Sequence, residues 1–345
     1  MILRGAPGGF VRRPQPFLAP DGVNVMARPV VAIADSPFPS LAPVEAALKR
    51  IDAEIRVAKS GSAEDILAVA RDADGIMVCY AQITPAIINE LTRCKVIART
   101  GLGVDNIDLP SLEAKNIVVT YVPDYCLQEV SDHTMAMLLS MARKIPLSNK
   151  LVQAGRWEMP AVVPIYRLEG LTLGLIGFGN IPRAVVPKAK AFGIKVITSD
   201  PYVSAEHLKA LDVENVSLDD LYARSDFVSV HAPLMPQTRG LVNAEAFAKM
   251  KQGVMIVNTA RGPLIDQKAL VDALDSGKVG GAALDVLEQE PPPKDSPLAG
   301  RDNVILTPHT AFYSVDALQE LQTKAASDVA HVLTGETPVY PVKMP

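Results

Sequence analysis

The sequence predicts an α/β protein with two domains, each a doubly wound parallel sheet. Three observations support this prediction. Short β-branched runs alternate with segments of helical periodicity from Arg28 to Leu333, which is typical of parallel sheets covered by helices. The length of 345 residues suits two domains better than one. A glycine-rich turn between an apolar run and a helix lies near the middle of the chain, at residues 177–179.

The composition excludes several classes of partner. Hydrophobic residues make up 48% and charged residues 21%, and the net charge is −4, so nothing favours nucleic acid or an anionic membrane as a partner. No run of 18 apolar residues is present, and we expect a cytoplasmic protein. The three cysteines are scattered and the acidic and histidine residues lack metal-ligand spacing, so neither a disulfide nor a metal site is predicted. Residues 1–25 are interpreted as a loose N-terminal extension.

The first predicted domain contains strands at 30–34, 55–57, 75–79, 96–99 and 117–121, with helices between them. A loop with two glycines, Gly101-Leu102-Gly103, follows the fourth strand. Open α/β sheets bind ligands beyond the carboxyl ends of their strands, and exposed amides there can bind a carboxylate. A plain glycine turn followed by an Asp/Asn helix cap explains the same residues equally well.

A long helix is predicted over Leu127–Arg143, followed by a loop that contains the single tryptophan, Trp157, interpreted as a packing anchor. The apolar run at 171–176 then leads through Gly177 and Gly179 into a helix. A strand, a glycine turn and a helix start in this order can bind a dinucleotide pyrophosphate on free helix amides, for which Asn180 and Ile181 are the candidates.

The third position of this glycine fingerprint is Pro182, whose ring is expected to displace the helix slightly. Asp200 ends the next predicted strand, about 20 residues past the turn, where a carboxylate binds a ribose diol. It would repel a 2′-phosphate, and no arginine follows it, so NAD is predicted rather than NADP.

Polar residues in the second half follow the predicted strands directly, on the same sheet edge as the glycine turn. They are His231 and Pro233 after 227–230, Thr259, Ala260 and Arg261 after 254–257, Asp285 and Glu290 after 282–284, and His309 after 304–306. The last helix, predicted over Val315–Leu333, is long enough to return to the first domain. We therefore predict a discontinuous substrate domain, 26–126 and 310–345, around a dinucleotide-binding domain at 127–309.

With these residues in view, the chain resembles the D-isomer-specific 2-hydroxyacid dehydrogenase family over about residues 28–342. The motifs are GLGVDNID at 101–108, GLIGFGN at 174–180, HAP…T at 231–238, NTARG at 258–262, LDVLEQEP at 284–291 and TPHTA at 307–311. Within the family, the stretches PDYCLQEVSDHTMAMLL and HTAFYS look most like the bacterial branch related to the C-terminal-binding-protein co-repressors. The resemblance implies a flavodoxin-like substrate domain, a Rossmann NAD-binding domain and a homodimer.

The resemblance also implies roles for individual residues. Arg261 resembles the arginine that binds the substrate carboxylate, His309 the general acid/base and Glu290 its carboxylate partner. Asp285 resembles the acceptor for the nicotinamide carboxamide. The wall of the cofactor pocket would contain His231, Pro233, Thr238, Thr259 and Ala260, and the carboxylate would lie on the amides around Gly101, Leu102 and Gly103. His133, His207 and His331 are interpreted as structural.

The predicted activity is reversible hydride transfer between NAD(H) and a small 2-hydroxy or 2-oxo acid. A phosphoglycerate substrate is disfavoured because the arginine usual in the segment matching 77–84 is absent and no regulatory domain is expected after the chain, although Arg99 could face a phosphate. Formate- or phosphite-type chemistry is disfavoured by the Glu290–His309 pair. An NAD(H)-sensing scaffold without turnover is the alternative outside the enzymes.

Overall fold

The first of two parallel sheets is formed by the N-terminal part of the chain. A computed structural model describes residues 28–343, so the predicted extension 1–25 lies outside the described residues. Five strands pair in the order β2-β1-β3-β4-β5, all parallel, which is the flavodoxin-like order. The strands are β1 (Val30–Ile33), β2 (Glu54–Val57), β3 (Gly75–Val78), β4 (Val96–Arg99) and β5 (Val118–Thr120).

Four short helices and the last long helix cover this sheet. Helix α12 spans Val315–Leu333, begins at Ser314, whose hydroxyl accepts the amide of Ala317, and packs on α1 and on β3, β4 and β5. Beyond α12, Pro341 forms an antiparallel bridge with Thr120. These contacts support the discontinuous substrate domain, which stays a proposal. The short helices are α1 (Ala42–Leu48), α2 (Ala63–Ala70), α3 (Pro85–Glu90) and α4 (Leu109–Ala114).

The second sheet has seven parallel strands in the order β12-β11-β10-β9-β6-β7-β8. Six of them reproduce the Rossmann order, with β6 central and the direction of winding reversing between β6 and β9. The predicted class of two doubly wound parallel α/β sheets is confirmed. The strands are β6 (Thr172–Ile176), β7 (Lys195–Ser199), β8 (Glu214–Asn215), β9 (Phe227–Val230), β10 (Val254–Asn258), β11 (Val279–Leu284) and β12 (Val304–Leu306).

The helices of this second layer begin with α5, which packs against α7 and lies across β10 and β11. One stripe of α5, which includes Val130, Thr134 and Leu138, is buried. No helix of residues 28–343 combines the length and the apolar character that crossing a membrane requires. The helices are α5 (Leu127–Ala142), α6 (Ile145–Gln153), α7 (Asn180–Ala191), α8 (Ala205–Leu211), α9 (Leu218–Arg224), α10 (Ala244–Lys249) and α11 (Gln267–Asp275).

One expectation about this layer is wrong. Trp157 is not a packing anchor, since 89% of it is exposed, together with Met159 and Tyr166 in the segment between α6 and β6. Helix α6 itself has no buried residue.

Candidate active site

A cavity of about 1060 Å³ lies between the carboxyl ends of the two sheets. Both domains line it, because the loops after β3, β4 and β5 face the loops after β6, β9, β10 and β12. Most of the residues predicted from the sequence are on its wall. They are Leu102, Gly103, Gly179, Asn180, Ile181, His231, Pro233, Thr259, Ala260, Arg261, Asp285 and His309.

The predicted acid/base pair is formed. His309 Nδ1 lies 2.7 Å from Glu290 Oε2, and Glu290 Oε1 accepts the amide of Leu287 at 2.9 Å. Burial raises the pKa of Glu290, but the hydrogen bond and charge of His309, the Leu287 amide and Arg261 outweigh it, so the pKa lies below its usual value. Glu290 therefore remains a carboxylate that orients the ring, and the other nitrogen, Nε2, is left for a substrate.

Arg261 spans the space between the domains. It follows β10 and is paired through Nε with Asp105 of the first domain at 3.2 Å, while Nη1 donates to Ala260 O at 2.8 Å. A Cβ at Gly103 would lie 1.9 Å from Arg261 Nη2, so only glycine leaves room for the guanidinium. The amides of Leu102 and Gly103 donate to no acceptor within residues 28–343, which keeps them free beside this cation.

The backbone at His309 is left-handed, with φ +53°. Asp285, which is 2% exposed, holds this segment with several bonds. Its carbonyl accepts the His309 amide at 2.9 Å, and its carboxylate accepts the amides of Thr310 and Ala311, each at 2.9 Å. Asp285 thus fixes the histidine-bearing loop as well as lining the cavity.

Aromatic rings surround the histidine. The rings of Tyr80 and Phe312 meet His309 edge-on, with centroids 5.6 Å and 6.1 Å away, and Tyr125 meets Phe312 in the same way. Burial raises the pKa of Tyr80, so its hydroxyl stays neutral. Asp35 holds the backbone at Tyr80 in place, since its carboxylate accepts hydrogen bonds from the amides of Cys79 and Tyr80 at 2.7 and 2.6 Å.

The glycine turn fits a dinucleotide. Gly177 has φ +92° and packs so closely that a Cβ would lie 3.1 Å from the His231 backbone. A Cβ at Gly179 would meet nothing within 4 Å, which leaves open space in front of the helix. The amides of Gly179, Asn180 and Ile181 donate to no acceptor within the described residues, as an anion-binding helix N-terminus requires.

Pro182 is the third residue of α7, in the first turn, where its missing N–H costs no hydrogen bond. Asp200 follows β7, and its two oxygens accept the amides of Phe178 and Tyr202, each at 2.7 Å. The carboxylate is thereby fixed beside the glycine turn, with acceptor capacity remaining on both oxygens.

Five predicted site residues do not line the cavity: Gly101, Gly177, Asp200, Thr238 and Glu290. Thr238 holds a turn instead, donating to Pro233 O at 2.6 Å and accepting the amide of Met235. Gly101, with φ +152°, lies against the guanidinium of Arg99, which a Cβ there would overlap. His231 lines the cavity beside the cofactor helix, and burial lowers its pKa to about 4, so it is neutral.

Sequence reasoning missed several residues. Arg183 lies at the glycine turn, donating from Nε to Gly179 O at 3.1 Å and bonding to Asn180 Oδ1. Asp105, the partner of Arg261, lies in the GLGVDNID motif at 101–108, from which no role was predicted for it. His133, interpreted as structural, contacts Thr307 beside His309. Only Arg183 could have been found from the sequence, because it directly follows Pro182 in the glycine fingerprint. The contacts of Asp105 and His133 join segments that are distant in the chain.

Comparison with known families and structures agrees with this geometry. Residues 135–311 match the family model described as D-isomer specific 2-hydroxyacid dehydrogenase, NAD binding domain. A D-3-phosphoglycerate dehydrogenase of Methanocaldococcus jannaschii is 42% identical over 294 residues, which are 85% of this chain and 56% of that protein. One of Mycobacterium tuberculosis is 37% identical over 312 residues, 90% of this chain and 58% of that protein. The chain therefore spans little more than half the length of these curated relatives.

Two solved structures are similar over almost their whole length. The D-lactate dehydrogenase of Aquifex aeolicus, complexed with NAD and lactic acid, has a TM-score of 0.82 and 31% identity, covering 89% of this chain and 96% of that one. A glyoxylate reductase of Paecilomyes thermophila has a TM-score of 0.83 and 27% identity, covering 92% and 99%. The protein belongs to the D-isomer-specific 2-hydroxyacid dehydrogenase family and contains its NAD-binding domain.

Proposed function

We propose that the protein is an NAD-dependent dehydrogenase that interconverts a small 2-hydroxy acid and its 2-oxo acid. The observation that carries this proposal is the arrangement of one cavity. Arg261 and His309, which is hydrogen-bonded to Glu290, lie on the wall of the same cavity as a helix N-terminus with free amides. A carboxylate-binding cation, an acid/base and a dinucleotide site are the three components that this reaction needs.

Binding and orientation of the acid are assigned to Arg261 and the loop after β4. A 2-oxo acid offers a carboxylate and a ketone oxygen side by side, which suits the planar fork of a guanidinium. The free amides of Leu102 and Gly103, beside Arg261, are assigned as further donors to the acid. Asp105 already occupies Nε at 3.2 Å, so the Nη2 edge of the guanidinium is assigned to the substrate.

Proton transfer is assigned to His309. Bound NAD supplies the hydride acceptor for oxidation of the hydroxy acid. Loss of hydride from C2 requires the hydroxyl proton to leave, and His309 Nε2 accepts it while Nδ1 stays bonded to Glu290. The rings of Tyr80 and Phe312 pack edge-on against the His309 ring.

NADH oxidation against a panel of 2-oxo acids (glyoxylate, hydroxypyruvate, pyruvate and longer chains) tests the proposal. We expect turnover with at least one acid, and His309→Ala should lower kcat by about 100- to 10,000-fold because the acid/base is lost. His207→Ala, an exposed histidine of the same domain, is the control and should leave kcat unchanged. Binding of NADH without turnover of any acid in the panel would instead favour an NAD(H)-sensing scaffold.

The substrate class has a second candidate, a 2-hydroxy acid with a second anionic group, as in phosphoglycerate. The observation that favours it is Arg99, which is only 8% exposed at the end of β4 and lines the cavity. Its Nη1 donates to Thr100 O at 2.6 Å, its Nε has no partner, and no carboxylate of residues 28–343 forms an ion pair with it. A buried guanidinium without a counterion is unfavourable unless a ligand supplies the charge.

Arg99→Met separates the two classes. If Arg99 binds a second anion, kcat/KM for 3-phosphohydroxypyruvate and for dicarboxylic 2-oxo acids should fall about 10- to 100-fold, the value of a lost charge-assisted hydrogen bond. Glyoxylate and pyruvate, which lack that group, should change little. Arg71→Met, at an exposed arginine paired with Glu90, is the matched control. Equal losses for all acids would exclude a second anion at Arg99.

We also propose that the protein acts in the cytoplasm as a homodimer. The support for a dimer is the segment between α6 and β6, where Trp157, Met159 and Tyr166 are 89%, 74% and 67% exposed. Large apolar side chains exposed together on a folded domain mark an association surface. The resemblance to the family suggests that a second copy covers them.

A further inference from the structure

A chain of hydrogen bonds leads from helix α5 to the loop that carries His309. His133 Nε2 lies 3.0 Å from Thr307 Oγ1, and Thr307 Oγ1 lies 2.5 Å from Asp285 Oδ1. Asp285 in turn accepts the amides of Thr310 and Ala311. The sequence offered no reason to connect His133 with His309, since they are far apart in the chain and share no motif.

The direction of each bond follows from the partners. The Asp285 carboxylate accepts only, so the Thr307 hydroxyl donates its single proton to it. The Thr307 oxygen is then free only to accept, and His133 must donate from Nε2. The geometry therefore fixes His133 in the tautomer or charge state that has a proton on Nε2.

The loop at the end of this chain is one that needs support. His309 has φ +53°, a left-handed conformation that non-glycine residues rarely adopt without compensating contacts. The compensation comes from Asp285, through its carbonyl to the His309 amide and through both carboxylate oxygens to the next two amides. If the Asp285 side chain rotates, the acid/base loses its fixed backbone.

Helix α5 is suited to this role because it lies across the second sheet. Thr134, next to His133, is buried and bonds to Thr259 Oγ1 at 2.9 Å, directly before the segment of Arg261. Consecutive residues of one helix thus contact the two loops that present the proposed acid/base and the proposed carboxylate-binding cation.

We propose that His133 is a positioning residue for His309, acting through Thr307 and Asp285. It touches neither substrate nor cofactor. Its Nε2–H holds the Thr307 hydroxyl toward Asp285, and Asp285 then holds the left-handed turn on which the Glu290–His309 pair depends. The kinetic consequence rests on the function proposed above, whereas the structural consequence does not.

Histidine-selective ¹⁵N labelling tests the structural part without substrate, because the chain has only five histidines. In the wild type, the His133 ring should show a proton on Nε2. In His133→Leu, which removes the donor, the chemical shifts of the His309 ring nitrogens should change. His133→Gln keeps a side-chain N–H donor and should retain the wild-type His309 signals. His207→Gln is the control.

Kinetics test the second part. His133→Leu should lower kcat on the order of 10- to 100-fold, the usual effect of a misplaced catalytic group. Thr307→Val, which removes the same hydroxyl, should have a similar effect, and the double variant should be no worse than either single one. Thermal unfolding of each variant checks that the fold is retained.

The outcomes separate the two proposals. Unchanged His309 signals in folded His133→Leu, or additive effects of His133→Leu and Thr307→Val, would overturn the positioning role. The same loss in His133→Gln as in His133→Leu would assign His133 to packing and would also overturn it. A wild type that turns over no 2-oxo acid would remove the proposed function, while the shift of the His309 signals would still test His133.

Discussion

At the residue scale, the chemistry depends on which nitrogen atoms facing the cavity have no hydrogen-bond partner in the protein. His309 gives Nδ1 to Glu290, and Arg261 gives Nη1 to Ala260 and Nε to Asp105. What remains is an imidazole Nε2 and the Nη2 edge of a guanidinium, which are the atoms a 2-oxo acid would contact. The surrounding protein thus uses one nitrogen of His309 and two of Arg261 for orientation and leaves the third guanidinium nitrogen and the second imidazole nitrogen for the substrate.

The neutral state of His231 has a measurable consequence for stability. Burial lowers its pKa to about 4, whereas an unfolded histidine titrates near 6.5. Between these pH values the unfolded chain binds a proton at His231 that the folded chain does not. The contribution of neutral His231 to the free energy of unfolding is therefore complete above about pH 6.5 and is lost as the pH falls toward 4.

We predict that His231→Asn, which does not titrate, loses less stability than the wild type between pH 7.5 and 4.5. The difference should be about 2 to 3 kcal/mol, from one pKa unit being worth about 1.4 kcal/mol. Urea unfolding at both pH values measures it, with His207→Asn as an exposed control. Identical pH dependence in His231→Asn and the wild type would mean that His231 is accessible to protons in the folded state.

The site residues that directly follow strands could be predicted from the sequence, because the end of a strand determines where the next residues lie. Their hydrogen-bond partners and their φ angles could not be predicted from the sequence. The pairing of Arg261 with Asp105 joins positions 156 residues apart, and no local pattern records it. Arg99 could be identified as a candidate for a second anion, but its lack of a counterion depends on packing that only the coordinates contain.

At the scale of elements, the two glycines of the turn before α7 are needed for different reasons, one for the fold and one for ligand binding. Gly177 is needed by the fold itself, since its φ is +92° and a Cβ would press on the backbone of His231. Gly179 has φ −69° and open space around it, so nothing in the protein requires glycine there. The space would be needed by a pyrophosphate approaching the first amides of α7.

We therefore predict that Gly179→Ala folds with an unchanged melting temperature but binds NADH at least about tenfold more weakly, through steric conflict with the pyrophosphate. Gly177→Ala should instead lower the melting temperature, because its φ is unfavourable for alanine. Calorimetry of unfolding and NADH fluorescence titration measure the two effects. Full NADH affinity in Gly179→Ala would place the pyrophosphate elsewhere.

Elements with a strong pattern were predicted well. Helix α12 has the predicted bounds Val315–Leu333, since it combines a serine cap with a long apolar stripe. Helix α6 and strand β8 were not predicted. Helix α6 buries no side chain and begins after Lys144, which has a positive φ and provides no cap hydrogen bond. Strand β8 is two exposed residues long. The two residues of β8 leave no apolar periodicity, whereas α6 carries apolar residues at helical spacing, such as Leu147 and Leu151, that the sequence analysis did not use.

At the scale of the whole molecule, the two sheets present their carboxyl ends to one cavity, and a few polar contacts join the domains around it. Ser314 Oγ donates to Glu129 at 2.7 Å where α12 meets α5, and Arg261 pairs with Asp105 across the cavity. Both contacts are partly exposed, so each contributes little to holding the two domains together.

We expect the exposed segment before β6 to form the interface of the proposed dimer. If a second copy covers it, light scattering should give a mass near 74 kDa, twice the 36.9 kDa of the chain. The double variant Trp157→Ser/Tyr166→Ser should dissociate to monomers at micromolar concentration, because large aromatic side chains dominate the binding energy of such interfaces.

Tyr202→Ser supplies the matched control, since Tyr202 is as exposed as Trp157, at 89%, but lies after β7 rather than before β6. It should leave the dimer intact. A monomeric wild type would remove the dimer and would leave Trp157, Met159 and Tyr166 as a surface for another partner. A dimer insensitive to the double variant would place the interface on a different face of the molecule, so the mass of each of the three proteins decides between these arrangements.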